Sequence, residues 1–336
     1  MRSDNANADH EIGKGMKTKS NIQAETIRIA AKRISPFIHR TPILTSQTID
    51  RLFNTSLFLK CENFQKVGAF KARGATNAVL SLNTEELSNG VATHSSGNHA
   101  QALSWASSLV NARAHIVMPD NSSKIKINAV KDYGGIITFC KPTLESRETT
   151  LAEVIRQTGA IEIHPYNNEQ IIAGQATATL ELIEEVDELD IVIAPVGGGG
   201  LLSGTSLSVH YFHPSAIVIA AEPEQANDAF LSFTCKKFVP SINPNTIADG
   251  LRTSLGSLTY PIILEHVHSV VTVSEASIIK AMRFIWERMK IIVEPSSAVP
   301  FAAIMEGKID VAGKKTGIII SGGNVDLEDL PWLKHE

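Results

Sequence analysis

Cysteine is scarce in this chain of 336 residues. Cys61, Cys140 and Cys235 stand far apart, without C-x-x-C spacing. That odd, sparse set excludes a disulfide framework and a thiolate zinc site, and it points to a reducing, cytoplasmic location. An excess of one charge is also missing: 31 Lys and Arg face 35 Asp and Glu, a net charge of -4. With no basic stripe, a nucleic-acid partner is not expected. No run approaches the ~18 consecutive apolar residues of a membrane span, so no membrane insertion is expected either. Residues 1–20 are polar and lack an apolar stretch, which excludes a secretory signal. They are expected to form a disordered extension, with Met16 as an alternative start. Repeats, low-complexity tracts and Pro/Gly-rich linkers are absent too, so a second domain should be inserted into the first rather than follow it.

What is present is an ordinary globular composition, 43% apolar and 20% charged, which rules out a disordered chain. The length suits about two domains at roughly 150 residues each. Short apolar runs at 56–62, 91–95, 114–119, 136–140, 191–196, 216–223, 270–275 and 317–321 predict strands. Helical spacing of apolar residues at 21–38, 70–82, 99–110, 147–159, 176–186 and 276–289 predicts helices between them. Continuous β-branched runs alternating with amphipathic helices predict an α/β fold with parallel-sheet cores covered on both faces. In such sheets ligands bind beyond the carboxyl ends of the strands. Glycines and serines cluster there four times.

Val196-Gly197-Gly198-Gly199-Gly200-Leu201 follows a strand and opens a helix. Consecutive glycines let backbone amides converge on an anion, and the helix start favours negative charge, so phosphate is the expected guest. Neither G-x-G-x-x-G nor Gly-Lys-Ser/Thr is present, which argues against a dinucleotide or a nucleoside triphosphate. Lys71 lies in Gly68-Ala69-Phe70-Lys71-Ala72, among small and apolar neighbours. A desolvated lysine there could form a Schiff base, although alone such a lysine is more often a solvated helix-start residue. Thr93-His94-Ser95-Ser96-Gly97-Asn98-His99 crowds polar groups at a helix start, which suits a carboxylate and equally suits N-capping. Ser321-Gly322-Gly323-Asn324 ends the last strand and reads, by itself, as a turn.

In this order the four segments resemble fold-type II pyridoxal-phosphate enzymes, the serine racemases and short serine/threonine dehydratases in particular. The resemblance runs from about Ile34 to Trp332. Further matching stretches are Thr41-Pro42, Glu145-Ser146-Arg147-Glu148, Ile172-Ala173-Gly174-Gln175 and Glu294-Pro295-Ser296. It implies two domains with the cofactor in the cleft between them. The larger would comprise residues 21–89 and 168–336, and the smaller, substrate-binding one residues 90–167. It implies Lys71 as the Schiff-base lysine and general base, with Phe70 packed near the cofactor ring. Asn98 would meet the phenolic oxygen, Gly197, Gly198, Gly199, Gly200 and Leu201 the phosphate, and Ser321 the pyridine nitrogen. Ser95, Ser96, Gly97 and His99 would surround the substrate carboxylate, with Ser96 as the catalytic acid on the face opposite Lys71. A homodimer is implied as well.

The implied reaction is α,β-elimination of serine or threonine to a 2-oxo acid and ammonia, with racemisation as a companion activity. Ala69 and the run Glu62-Asn63-Phe64-Gln65-Lys66 look more like the hydroxyaspartate-dehydratase branch. There a second substrate carboxylate would need a cation. Arg147 is the candidate, and the alternative for it is an exposed arginine paired with Glu145 or Glu148. A catalytically silent cofactor-binding protein is the rival of another class, disfavoured because Lys71, Ser96 and Ser321 are all present. The chain ends soon after Ser321, so no regulatory domain is expected beyond it. A divalent cation is expected after strand 216–223, held by the Glu222 and Asp228 carboxylates and the Ala226 carbonyl. That spacing matches the metal site of serine racemases, and oxygen ligands select Mg²⁺, Ca²⁺ or Mn²⁺ over zinc.

Overall fold

The computed structural model describes residues 21–95 and 97–333. Ten strands form two sheets. They are β1 (Ile43–Leu44), β2 (Ser56–Cys61), β3 (Val91–His94), β4 (Ala114–Pro119), β5 (Ile136–Cys140), β6 (Ile161–Glu162), β7 (Ile191–Pro195), β8 (Ile217–Pro223), β9 (Ser269–Val273) and β10 (Lys315–Ile320). The six-stranded sheet runs β1-β2-β10-β7-β8-β9 and the four-stranded sheet β5-β4-β3-β6. Every pairing is parallel except the edge pair β1·β2. The strands of the smaller sheet lie consecutively in the chain, between strands of the larger one.

Alternation along the strands builds the layers. In β7, Ile191 and Ile193 face one core while Val192 and Ala194 face the other. In β10, Ile318 and Ile320 join the first and Ile319 the second. The smaller sheet repeats this: Val91, Ile116 and Met118 point one way, Ala92 and Val117 the other. Each fully buried aliphatic side chain contributes about 1.5–3 kcal/mol. Both faces must therefore be covered, and helices cover them. No helix among the described residues is long and apolar enough to cross a membrane.

Helix Lys71–Ser81 crosses helix Glu169–Glu185 at an unusually close point. A Cβ on Gly174 would stand 2.6 Å from the Gly74 Cα, so only glycine permits the contact. Beside it lies a buried charge cluster. Arg73, 0% exposed, forks onto Glu62 (Nε to Oε2 2.7 Å, Nη2 to Oε1 2.8 Å) and onto Glu181 (Nη1 to Oε1 2.7 Å, Nη2 to Oε2 2.8 Å). Lys60 Nζ reaches Glu181 Oε2 at 2.7 Å. Two cations thus balance two carboxylates. Planar bidentate geometry is what lets an arginine be buried here. The cluster ties the helix that begins with Lys71 to β2 and to helix Glu169–Glu185.

Candidate active site

Lys71 opens its helix at the carboxyl end of the larger sheet's centre, brought there by Phe70 N–H donating to the Ser321 carbonyl at 2.9 Å. Its Nζ donates to the Pro165 carbonyl at 2.7 Å and stands 5.1 Å from the Phe70 ring centroid. Burial lowers the ammonium pKa to about 8, with Glu294 acting in the opposite direction. A neutral amine, able to take a proton or bond a carbonyl carbon, is therefore readily reached.

The glycine loop lies close by. After Gly199, in the left-handed region at φ +86°, the helix Gly200–Phe212 begins with no side-chain cap. Its first bond to a preceding carbonyl runs from Ser203 N to Gly199 O at 2.8 Å. The amides of Gly200, Leu201 and Leu202 thus face outward at the positive end of the helix, an arrangement that suits an anion. The Tyr166 ring closes one side: a Cβ on Gly198 would lie 2.3 Å from it. Pro165 and Tyr166 therefore link the lysine to the loop.

A second uncapped helix start lies near Lys71, whose charge acts on His99. Gly97 precedes helix Asn98–Ser108 without a cap bond, and Ser95 is held by its N–H donating to the Val117 carbonyl at 3.1 Å. Ser96 lies outside the described residues. His99 is buried, its Nε2 bonded to the Ile163 carbonyl at 3.0 Å and its Nδ1 without a partner among the described residues. Burial, helped by the Lys71 charge, lowers its pKa to about 3. His164 is lowered to about 4, again mainly by burial; its Nδ1 accepts from Asn167 N–H at 2.9 Å. Both imidazoles are neutral at pH 7, which leaves His99 Nδ1 as a buried acceptor.

Asn98 meets residues from the far end of the chain. Its Nδ2 donates to both Glu294 carboxylate oxygens at 3.0 Å, and its Oδ1 accepts from Asn324 Nδ2 at 2.9 Å. Ser321, 2% exposed, shares a 2.9 Å hydroxyl–hydroxyl bond with Ser297. Tyr166 and Pro165 had no part in the sequence reading, while Glu294 and Asn324 stood in it only within matching or clustered stretches, without a role of their own, and Ser297 likewise carried no assigned role. For Glu294 one signal existed: a glutamate before Pro295 at a helix start, where a shorter capping residue is usual.

Two further groups stand apart. Arg147 lies in helix Leu144–Thr158, with its Nε buried and unpartnered among the described residues. Its charge adds to burial in lowering the His94 pKa, so the two are neighbours. At the end of β8, Glu222 is fully buried and accepts from the N–H groups of Ala229 (3.1 Å) and Phe230 (2.9 Å). Asp228 is 3% exposed, and neither carboxylate oxygen has a partner within bonding geometry among the described residues. Burial pushes Asp228 up to about 7, with Ser241 and the Leu255 backbone close enough to soften the rise. Glu222 is pushed well above the carboxylate range by burial and by Asp228. Ala226 is buried between them in sequence. No group of three or more His, Cys, Asp or Glu side chains placed to hold a metal ion occurs among the described residues.

An amine of depressed basicity, an open anion-binding helix start beside it and a second open helix start near it define an enzyme that works through a phosphorylated carbonyl cofactor. The chain belongs to the family of pyridoxal-phosphate dependent enzymes, whose model matches residues 34–322. It is similar to the serine racemase of Dictyostelium discoideum, 51% identical over 322 residues, with 94% of this chain and 98% of that protein covered. It is also similar to the beta-hydroxyaspartate dehydratase of Paracoccus denitrificans (strain Pd 1222), 49% identical over 308 residues, covering 92% and 98%. The structure of maize serine racemase matches with a TM-score of 0.90 at 44% identity, over 93% of this chain and 96% of that one. The α/β architecture with parallel-sheet cores is that of these fold-type II relatives.

Proposed function

We propose that this enzyme removes the hydroxyl and amino groups of small β-hydroxy amino acids, L-serine and L-threonine, to give a 2-oxo acid and ammonia, with serine racemisation as a second activity. One observation carries the reading: Lys71, lowered to about 8 by burial, is linked through Pro165 and Tyr166 to one uncapped helix start and lies near a second, at His99. The amides of the Gly197–Leu201 loop would hold the phosphate of pyridoxal phosphate. Ser321 would meet the ring nitrogen, Asn98 the phenolic oxygen, and Phe70 would pack near the ring. When bound, the cofactor supplies the electron sink that makes an α-proton removable. The chain's residues do the rest. Lys71 Nζ takes the α-proton, because neither His99 nor His164 competes as a base at neutral pH. Ser95, Ser96, Gly97 and His99 would surround the substrate carboxylate, which the amides at the Asn98 helix start suit. Ser96 serves as the acid on the opposite face for racemisation. A hydroxyl at the ring nitrogen favours prompt elimination over a long-lived carbanion.

L-threo-3-hydroxyaspartate is the second reading, favoured by the unpartnered Arg147 Nε beside His94. Arg147 would pair with the side-chain carboxylate. The test is steady-state ammonia release from serine, threonine and threo-3-hydroxyaspartate, with D-serine measured in parallel. Ammonia from none of them, with cofactor bound, would overturn the proposal. A preference for hydroxyaspartate that Arg147→Ala abolishes, while serine turnover is kept, would select the second reading.

The remaining parts belong to the same proposal. Glu222, Asp228 and the Ala226 carbonyl would hold Mg²⁺, or Ca²⁺ or Mn²⁺; the support is a pair of buried carboxylates close enough for Asp228 to push Glu222 up, which a dication would neutralise. The ion braces the structure and takes no part in the chemistry. Residues 90–167 form the smaller domain, supported by the consecutive strands β3 to β6 of the second sheet, and closure of the cleft excludes water. A homodimer belongs to the same proposal, with Phe64 and Ile292 among the exposed apolar residues. Three free thiols agree with a cytoplasmic location.

A further inference from the structure

Glu294 occupies a place that its residue type does not explain. It is the N-cap of helix Pro295–Met305, where short side chains reach back to the helix amides and serve best. Glu294 makes no such bond. Its carboxylate turns across the site instead. Asn98 Nδ2 donates to both oxygens at 3.0 Å, and the Asn324 backbone N–H donates to Oε2 at 3.3 Å. Asn324 Nδ2 closes the ring by donating to Asn98 Oδ1 at 2.9 Å and to the Val67 carbonyl at 2.8 Å. Burying a carboxylate is costly, and nothing in the packing of this helix requires one. Room for it exists only because residue 322 is glycine: a Cβ there would lie 2.8 Å from Glu294 Oε1.

The ring has a direction. An ionised carboxylate only accepts, so it forces the Nδ2 end of Asn98 toward itself; Asn324 Nδ2 only donates, so it forces the Oδ1 end the other way. A carboxamide is nearly symmetric in shape, and without these two partners it could turn over at little cost. We propose that Glu294 is a positioning residue: its carboxyl group holds the Asn98 carboxamide in one orientation and thereby sets how the amide meets the phenolic oxygen of the bound cofactor. The inference rests on the reading of Asn98 as the partner of that oxygen.

Protonation should loosen the ring, because a carboxyl keeps one fewer acceptor for Asn98. The charged groups around Glu294 are Lys71 on helix Lys71–Ser81, Lys126 on helix Lys124–Asp132 and Asp249 on the turn Asp249–Leu251. Burial, then Asp249, push Glu294 up to about 7; Asn98, the Asn324 amide and Lys126 oppose them. The hold on Asn98 therefore weakens as pH falls through that value.

The test compares wild type, Glu294→Gln and Glu294→Ala. Pyridoxal-phosphate affinity is titrated at pH 6 and pH 8, the absorption band of the bound cofactor is recorded, and thermal unfolding of the cofactor-free proteins reports folding. The gain in affinity from pH 6 to pH 8 should be about fivefold larger in wild type than in Glu294→Gln, the equivalent of one hydrogen bond. Glu294→Gln at both values should resemble wild type at pH 6 in its absorption band. Glu294→Ala should bind about tenfold more weakly at pH 8, as expected for losing a charge-assisted bond. If the alanine variant does not fold, the near-isosteric glutamine variant decides alone. Identical affinities, bands and pH responses in wild type and Glu294→Gln would overturn the inference while leaving the reading of the site intact. Failure of wild type to take up the cofactor would overturn both.

Discussion

Lys71 should make the cofactor-free protein less stable than it would be without the lysine. Its pKa in the fold is about 8 against an ordinary 10.5, a depression caused by burial. Below pH 8 the ammonium must be either desolvated or deprotonated on folding, and both are unfavourable. At roughly 1.4 kcal/mol per unit, the cost at pH 7 is about 3 kcal/mol. The side chain keeps part of its surface open, so this is an upper value. The sign follows from linkage: between pH 8 and 10.5 the unfolded chain binds the proton more tightly, so stability rises with pH through that window. From pH 7 to pH 9 the gain from this group is about 1.3 kcal/mol. A chain of this length has an unfolding entropy of roughly 0.7 kcal/mol/K, which makes that gain about 2 °C in Tm. Lys71→Met removes the titrating group. It also removes the bond to the Pro165 carbonyl, which offsets part of the stabilisation at pH 7 by about 1.5–3 kcal/mol. The difference in slope is therefore the cleaner measurement. Thermal unfolding of cofactor-free wild type and Lys71→Met at pH 7 and pH 9, followed by circular dichroism, should show wild-type Tm rising about 2 °C more than that of the variant. Equal slopes would refute the claim that burial depresses this lysine. With cofactor added, the variant should show no Schiff-base absorbance and no turnover.

Three further outcomes are expected. Arg73→Leu leaves Glu62 and Glu181 facing each other with Lys60 alone to balance them, and should cost about 3–5 kcal/mol in urea unfolding; Glu62→Gln added to it restores neutrality and should recover part of the loss. Gly198→Ala puts a methyl group 2.3 Å from the Tyr166 ring, so cofactor affinity should fall by at least about tenfold while far-ultraviolet circular dichroism is unchanged. Chelation should lower activity and Tm together and Mg²⁺ should restore both, with Asp228→Ala insensitive to either; an effect of chelator on activity alone would argue against a bracing ion.

The strands were legible in the sequence because their signal is local. Runs 114–119 and 136–140 match β4 and β5 residue for residue, and the β7 run ends one residue late. Apolar continuity over five or six residues marks a strand from local composition alone, whether it is buried on both faces as β4 is or lies at the sheet edge as β5 does with Ile136 and Phe139 exposed. The glycine loop was legible for a similar reason, since backbone freedom is a property of a short stretch, whereas Lys71 alone read as a solvated helix-start residue and took its role only from the ordered set of segments. The two-residue strands β1 and β6 left no such mark.

The sequence by itself thus determined the alternation of elements and the glycine-rich helix start suited to an anion, while the roles of Lys71 and of the Ser95–His99 segment followed only from the four segments taken together. The tertiary structure decided which of these meet. That β10, last in the chain, pairs with both β2 and β7 cannot be read from its composition, and this pairing brings Ser321 to Phe70. Arg73 reads in sequence as one more helix cation; only the approach of Glu62 and Glu181 makes its burial tolerable. Glu294 and Asn324 reach Asn98 across 196 and 226 residues of chain. The physical reason is common to all three cases. Secondary structure follows from forces between near neighbours, whereas a buried charge or a fixed amide is stable only once partners from distant segments satisfy it.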